Sequence, residues 1–223
     1  MNGLLDGGRR ISGELSAAMS PTEESSMRME LGVAQVEIDA LDADSDRLYE
    51  LAYSGCATAP DVASGRGWVH VQSYEPHHLD QLMRDQFSHL IMRLNRAVPW
   101  SLTLLSWTAQ VRIALGDLDV RRVGVRGGAD DISFLLGHPQ RSSLLRVSGG
   151  TMKIVLHLPL STPAHVVVRG TDASVTADGV AVAHHWTNSG DRADGRLRDG
   201  YRVTVSAASS RVSVRTLPLL ATG

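Results

Sequence analysis

From Met29 onward, apolar side chains fall on alternate positions in short runs separated by Gly, Ala, Ser and Asp, a pattern of strands and turns. Three of these runs match position by position. Val123, Val125, Gly127, Gly128, Ile132 and Phe134 correspond to Leu145, Val147, Gly149, Gly150, Ile154 and Leu156, and these to Val166, Val168, Gly170, Thr171, Val175 and Ala177. Leu102, Leu104, Val111 and Ile113 fit upstream, Val203, Val205, Val212 and Val214 fit downstream, and Met29, Leu31 and Ile38 form a looser first copy. The copies starting at Leu102, Val123, Leu145 and Val166 are 21 or 22 residues apart, whereas Val166 to Val203 is 37 and contains an insertion. A fixed short period of this kind predicts a repeat array.

The spacing inside each copy also has physical content. Val125 and Ile132, Val147 and Ile154, Val168 and Val175, and Val205 and Val212 are all seven residues apart. In a straight strand, residues an odd number apart face opposite sides, so both members can reach one core only if the chain turns or bulges between them. Gly127, Gly128, Gly149, Gly150 and Gly170 sit at that place, where positive φ or a tight corner costs glycine little. The expected fold is all-β: a single-stranded β-solenoid-like repeat with one short helix. Two strands of a plain β-sandwich joined by tight turns are the alternative.

Around the repeat the texture changes. Residues 1–26 are rich in Ser, Gly, Pro and charge without a sustained period, which predicts a mobile leader with at most a marginal helix over 11–19. The repeat domain then covers 27–217 and a tail covers 218–223. Leu79, Leu82, Met83, Phe87, Leu90, Ile91 and Leu94 fall at helical spacing within 77–95, predicting an amphipathic helix packed on the repeat. The insertion 178–200 reads as a long polar loop, the kind of segment that carries binding residues.

The units Val125–Arg126–Gly127–Gly128–Ala129 and Val147–Ser148–Gly149–Gly150–Thr151, the run from Leu31 to Ile38, and the approach through Leu94, Asn95, Val98, Pro99 and Trp100 together resemble the toastrack β-repeat domain. That domain is found in LiaF-like cell-wall-stress proteins and in bacterial proteins called putative adhesins. The resemblance spans roughly residues 29–216. It implies a stacked β fold, no catalytic residues, and a role in envelope-stress sensing or in scaffolding protein contacts. The chain departs from the LiaF pattern in lacking preceding transmembrane helices, and Ala207 and Ala208 replace the glycine pair in the last copy.

Composition narrows the function classes. With 22 Lys and Arg against 24 Asp and Glu, net charge is −2, so neither a phosphate track for nucleic acid nor an anionic membrane is an expected partner. No stretch approaches the roughly 18 to 20 apolar residues that span a bilayer, and Asp6 with Gly7 and Gly8 interrupts the apolar start, so neither membrane insertion nor a signal peptide is expected. A single cysteine, Cys56, allows no internal disulfide and fits a cytoplasmic setting.

Motifs for chemistry are sparse. His77 and His78 with Asp80, and His184 and His185 with Asp191, are the tight histidine clusters, but adjacent histidines of an extended segment face opposite ways, so no metal or other cofactor is expected. Asp117, Asp119, Asp130 and Asp131 could stack along one edge; they read as solvated turn acids, and only as an alternative as the carboxylates of a carbohydrate-active enzyme. The run from Gly124 to Gly128 lacks the features of a phosphate-binding loop.

The expected function is therefore that of a non-catalytic binding or scaffold module acting through a protein partner or self-association. An adhesin-like or carbohydrate-binding module is the alternative. The expected contact residues are Trp186, an aromatic anchor, with His184, His185, Arg192 and Arg196 in the same insertion.

Overall fold

The computed structural model describes residues 11–19, 24–73, 88–128, 131–160, 162–187 and 200–217, with backbone alone for 107–109. In chain order the strands begin with β1 (Ile11–Ala18), β2 (Ser25–Ala40), β3 (Arg47–Cys56), β4 (Asp61–Gly65) and β5 (Trp68–Ser73). They continue through β6 (Ser88–Leu94), β7 (Trp100–Ala114), β8 (Val120–Gly127), β9 (Asp131–Leu135) and β10 (Ser143–Pro159). The last are β11 (Ala164–Arg169), β12 (Asp172–Ala177), β13 (Val180–Val182), β14 (His185–Thr187) and β15 (Tyr201–Leu217). There is no helix among the described residues.

Six units run parallel in the order β2, β7, β8 with β9, β10, β15, and β11 with β12. Each bends at its middle, so the first halves make one wall and the second halves another around a shared core. The seven-residue spacing has the predicted result: Val125, Ile132, Val147, Ile154, Val168, Val175, Val205 and Val212 are all buried. The matched sequence positions also lie side by side, with Leu102 opposite Val123, Val123 opposite Leu145, and Leu145 opposite Val203.

The open single-stranded solenoid expected from the repeat is not what forms. The pairings close on themselves, because β7 and β10 both pair with β8 on one wall and with β9 on the other. The six parallel units thus make a barrel-like enclosure with further strands added, and they are not stacked in chain order. The last copy, β15, lies between β10 and the β11–β12 unit. A repeat specifies the bend and the inward positions of every copy alike, so it leaves open which copies become neighbours.

A further parallel pair flanks β2: β5 beside its first half and β6 beside its second. Antiparallel strands finish the ends. At one end β4 joins β5, β3 joins β6 and β1 joins β3; at the other β13 joins β12 and β14 joins β11. The helix expected over 77–95 is corrected for 88–94, which is β6; the remainder lies outside the described residues. Ser88, Leu90, Met92 and Leu94 are buried in alternation, and Ile91, which completed the helical spacing, is on the outer side. The marginal helix over 11–19 is likewise replaced by β1, paired with β3.

The corner explains the small residues. Ser106, Gly127, Gly149 and Ala207 stand in register at the bend, with Gly170 beside Ala207. Only Gly127 among the five expected turn glycines has positive φ, at 130°. Positive φ is therefore not the general reason for glycine here. A Cβ on Gly127 would overlap the carbonyl oxygen of Ser106, one on Gly149 that of Gly127, and one on Gly170 that of Ala207. Gly128 donates its N–H to the Ser106 carbonyl at 3.0 Å, and a Cβ on Gly150 would meet nothing within 4 Å.

Candidate functional site

Because inward positions alternate with outward ones, each wall presents rows of side chains to solvent. On the outer side of the second-half wall, β6, β2, β7 and β9 bring His89, Gln35, Gln110 and Asp131 into one row. Ile91, Glu37, Arg112 and Ser133 form the next. His89, Gln35, Glu37, Gln110, Arg112, Asp131 and Ser133 line a groove of about 300 Å³.

Local bonds order this groove. Gln35 donates from Nε2 to Oε1 of Gln110 at 3.2 Å, extending the backbone ladder with a side-chain one. Asp131 accepts from Lys153 Nζ at 3.2 Å on the next strand. A neighbouring hollow of about 240 Å³ shares Glu37 and Arg112 and continues over Asp39, Asp117 and Leu135. The groove thus offers amides, carboxylates, an imidazole and a guanidinium at positions fixed by the sheet, which suits hydrogen bonding to a polar ligand.

Further along the same wall, His157 of β10 sits opposite Leu135 and Arg215. Partial burial, with Arg215 and Arg112 adding repulsion, holds its pKa below the usual histidine value. His157 accordingly adds little positive charge at neutral pH.

The structure separates the residues expected to act together. Asp119 is paired with Arg141 at 3.0 Å and Asp131 with Lys153. Asp117 lies beyond Ala114, which is opposite Leu135 at the far end of β9 from Asp131, and Asp130 is outside the described residues. Among the described residues no three His, Cys, Asp or Glu side chains converge as a metal site.

Of the expected contact residues, Trp186 is half-buried in β14 opposite Val166 and packs on the core edge. His184 and His185 are exposed, and the His184 carbonyl accepts from Val168 N–H at 2.9 Å. Arg192 and Arg196 lie outside the described residues, as do His77, His78, Asp80 and Asp191.

Sequence reading did not single out the groove. A signal was available for part of it: Gln110, Asp131, Lys153 and Arg211 each precede the matching inward residue, Val111, Ile132, Ile154 or Val212. The contribution of His89 could not be foreseen, since 88–94 is not a copy of the repeat that the spacing identifies.

Among solved structures, the chain is similar to a "putative cell adhesion protein" from Clostridium sporogenes, with a TM-score of 0.73 at 15% identity, covering 93% of this chain and all of that one. A "putative adhesin" from Bacteroides fragilis aligns over 94% of this chain and 97% of its own at 9% identity, with a TM-score of only 0.38. No family model matches the chain, and no curated protein matches it. The likeness to the Clostridium sporogenes protein extends over nearly the whole chain, and the two share a fold.

Proposed function

We propose that the protein is a non-catalytic binding module of the adhesin kind, whose ligand lies across the outer rows of its second-half wall. The observation that carries this reading is the groove over β6, β2, β7 and β9, where seven polar side chains are set by strand register rather than by a loop. Shared fold with a protein described as a putative cell adhesion protein supports it. The dispersal of Asp117, Asp119 and Asp131 supports a binding role over the carboxylate-enzyme alternative. The LiaF-like resemblance of the repeat supports an envelope-stress setting for such binding.

An array of neutral glycans probed with wild type and with Gln35→Ala/Gln110→Ala tests the site. Ligands bound by wild type and lost in the double variant, with unchanged thermal unfolding, are the expected result. Equal binding by both proteins would remove the groove from the reading. Cell fractionation separates an exported adhesin from a cytoplasmic scaffold.

A further inference from the structure

The other wall has a different outer surface. On β8, β10, β15 and β11, strand register sets Arg122, Leu144, Arg202 and His165 in one row, then Gly124, Arg146, Thr204 and Val167, then Arg126, Ser148, Ser206 and Arg169. These twelve neighbouring positions hold five arginines and no carboxylate. Continuing onto β7 adds Ser101, Thr103 and Leu105; the first acid met is Glu24, which accepts from Ser101 at 2.8 Å and is already paired with Arg121, and Glu30 follows on β2.

Arg122, Arg126, Arg146, Arg169 and Arg202 are all exposed. Among the described residues none of them forms an ion pair, whereas Arg28, Arg47, Arg93, Arg121 and Arg141 each have a carboxylate within reach. A net charge of −2 conceals this local excess. Five guanidiniums held near one another repel, and a multivalent anion would remove that repulsion while gaining bidentate hydrogen bonds.

We infer that this wall binds an acidic polysaccharide, with the arginines taking its carboxylates and Ser148, Thr204 and Ser206 its hydroxyls. With strands about 4.8 Å apart, Arg122 and Arg202 stand about 10 Å from each other, and Arg126 and Arg169 about 14 Å, along the direction crossing the strands. An extended chain of acidic sugars laid across the strands presents anions repeatedly in that direction. The surface is less suited to other polyanions. Its twelve positions include no Phe, Tyr or Trp on which single-stranded bases could stack, and the half-buried His165 ring is hydrogen-bonded to the Thr187 hydroxyl at 3.0 Å. A broad sheet wall also cannot enter a duplex groove as a helix or two-stranded ribbon does. Leu144 and Val167 are half-buried between strands and offer no protruding apolar anchor for a bilayer.

The test is fluorescence anisotropy of labelled oligogalacturonate, with neutral dextran, duplex DNA and anionic phosphatidylglycerol vesicles as competitors. Wild type is expected to bind the oligogalacturonate in a salt-dependent way and to be displaced by unlabelled oligogalacturonate before DNA or vesicles. Arg146→Glu/Arg202→Glu should weaken binding at least tenfold. Arg66→Glu/Arg211→Glu, which changes net charge equally from exposed positions elsewhere, should stay within about threefold of wild type. The groove variant Gln35→Ala/Gln110→Ala should bind like wild type, which separates this surface from the proposed groove. Absence of binding, equal loss in the two charge-reversed variants, or preferential displacement by DNA or vesicles would each overturn the inference. Unchanged unfolding midpoints would confirm that exposed substitutions leave the fold intact.

Discussion

The middle of the molecule and its two ends satisfy their backbone hydrogen bonds in contrasting ways. In the middle, β7, β8 with β9, β10 and β15 are near-copies in parallel register, and each unit offers its neighbour the same edge it receives. Their close approach is set by the column of small residues at the bend. At the ends no further copy arrives, and antiparallel strands of unrelated sequence cover the edge instead. An uncovered strand edge invites pairing with another chain, so ends require their own solution. A repeat therefore builds an interior economically, while its boundaries depend on sequence that the repeat does not contain.

The sharpest way to break the middle is at its bend. Gly149→Ala should cost about 3 kcal/mol or more, because its Cβ would overlap the Gly127 carbonyl of the adjacent strand. Gly150→Ala, one residue on and facing open space, should change stability by no more than about 0.5 kcal/mol. Urea unfolding of both variants checks the pair; equal costs would show that the bend is governed by backbone conformation and not by strand approach.

Where the middle meets the first end, Asn95 is buried and joins three segments. Its Nδ2 donates to the carbonyls of Ser45 and Arg47 at 3.0 and 2.7 Å, its Oδ1 accepts from Ala97 N–H, and its carbonyl accepts from Trp100 Nε1. Asn95→Ala should destabilise by about 2 to 4 kcal/mol, since it leaves buried backbone groups without partners. A loss under about 1 kcal/mol in denaturant unfolding would mean that water replaces the amide.

At the other end, Trp186→Ala should cost about 1 to 2 kcal/mol, in keeping with a half-buried ring on the core edge. A larger effect on ligand capture than on unfolding would make Trp186 a contact residue as well as a cover.

The smallest expected effect is on pH dependence. The folded pKa of His157 is lowered from 6.5, so the stability tied to its neutral form is complete above about pH 6.5 and declines as pH falls through the lowered folded value. Unfolding midpoints measured from pH 7.5 to 5 should therefore fall less steeply in His157→Gln than in wild type.

The same contrast explains what could be read in advance. The inward residues of the middle units and the necessity of a bend follow from the seven-residue spacing, and the structure buries every one of those pairs. Of the five expected turn glycines only Gly127 has positive φ; at Gly149 and Gly170 a Cβ would clash with the adjacent strand, which cannot be seen until the neighbour is known. The ends were opaque. Leu90, Ile91 and Leu94 satisfy a helical period as well as they fit a strand, and pairing with β2 and β3 decides between them. The groove and the arginine rows depend on adjacency of copies, and the position of β15 between β10 and β11 is written in no local pattern. Arg202 joins Arg122, Arg146 and Arg169 only through that placement.

The internal position of β15 also bears on how the chain acquires its structure during synthesis. Ribosomes deliver β11 and β12 before β15, yet neither pairs with β10 in the finished molecule. The equivalent edge of β10 must wait, or be occupied temporarily by the wrong copy and then vacated. Parallel pairing over long sequence separations is already slow, and similar copies make that wrong partner an attractive one. In either case the edge of β10 is completed only once the seventeen-residue β15 has been delivered.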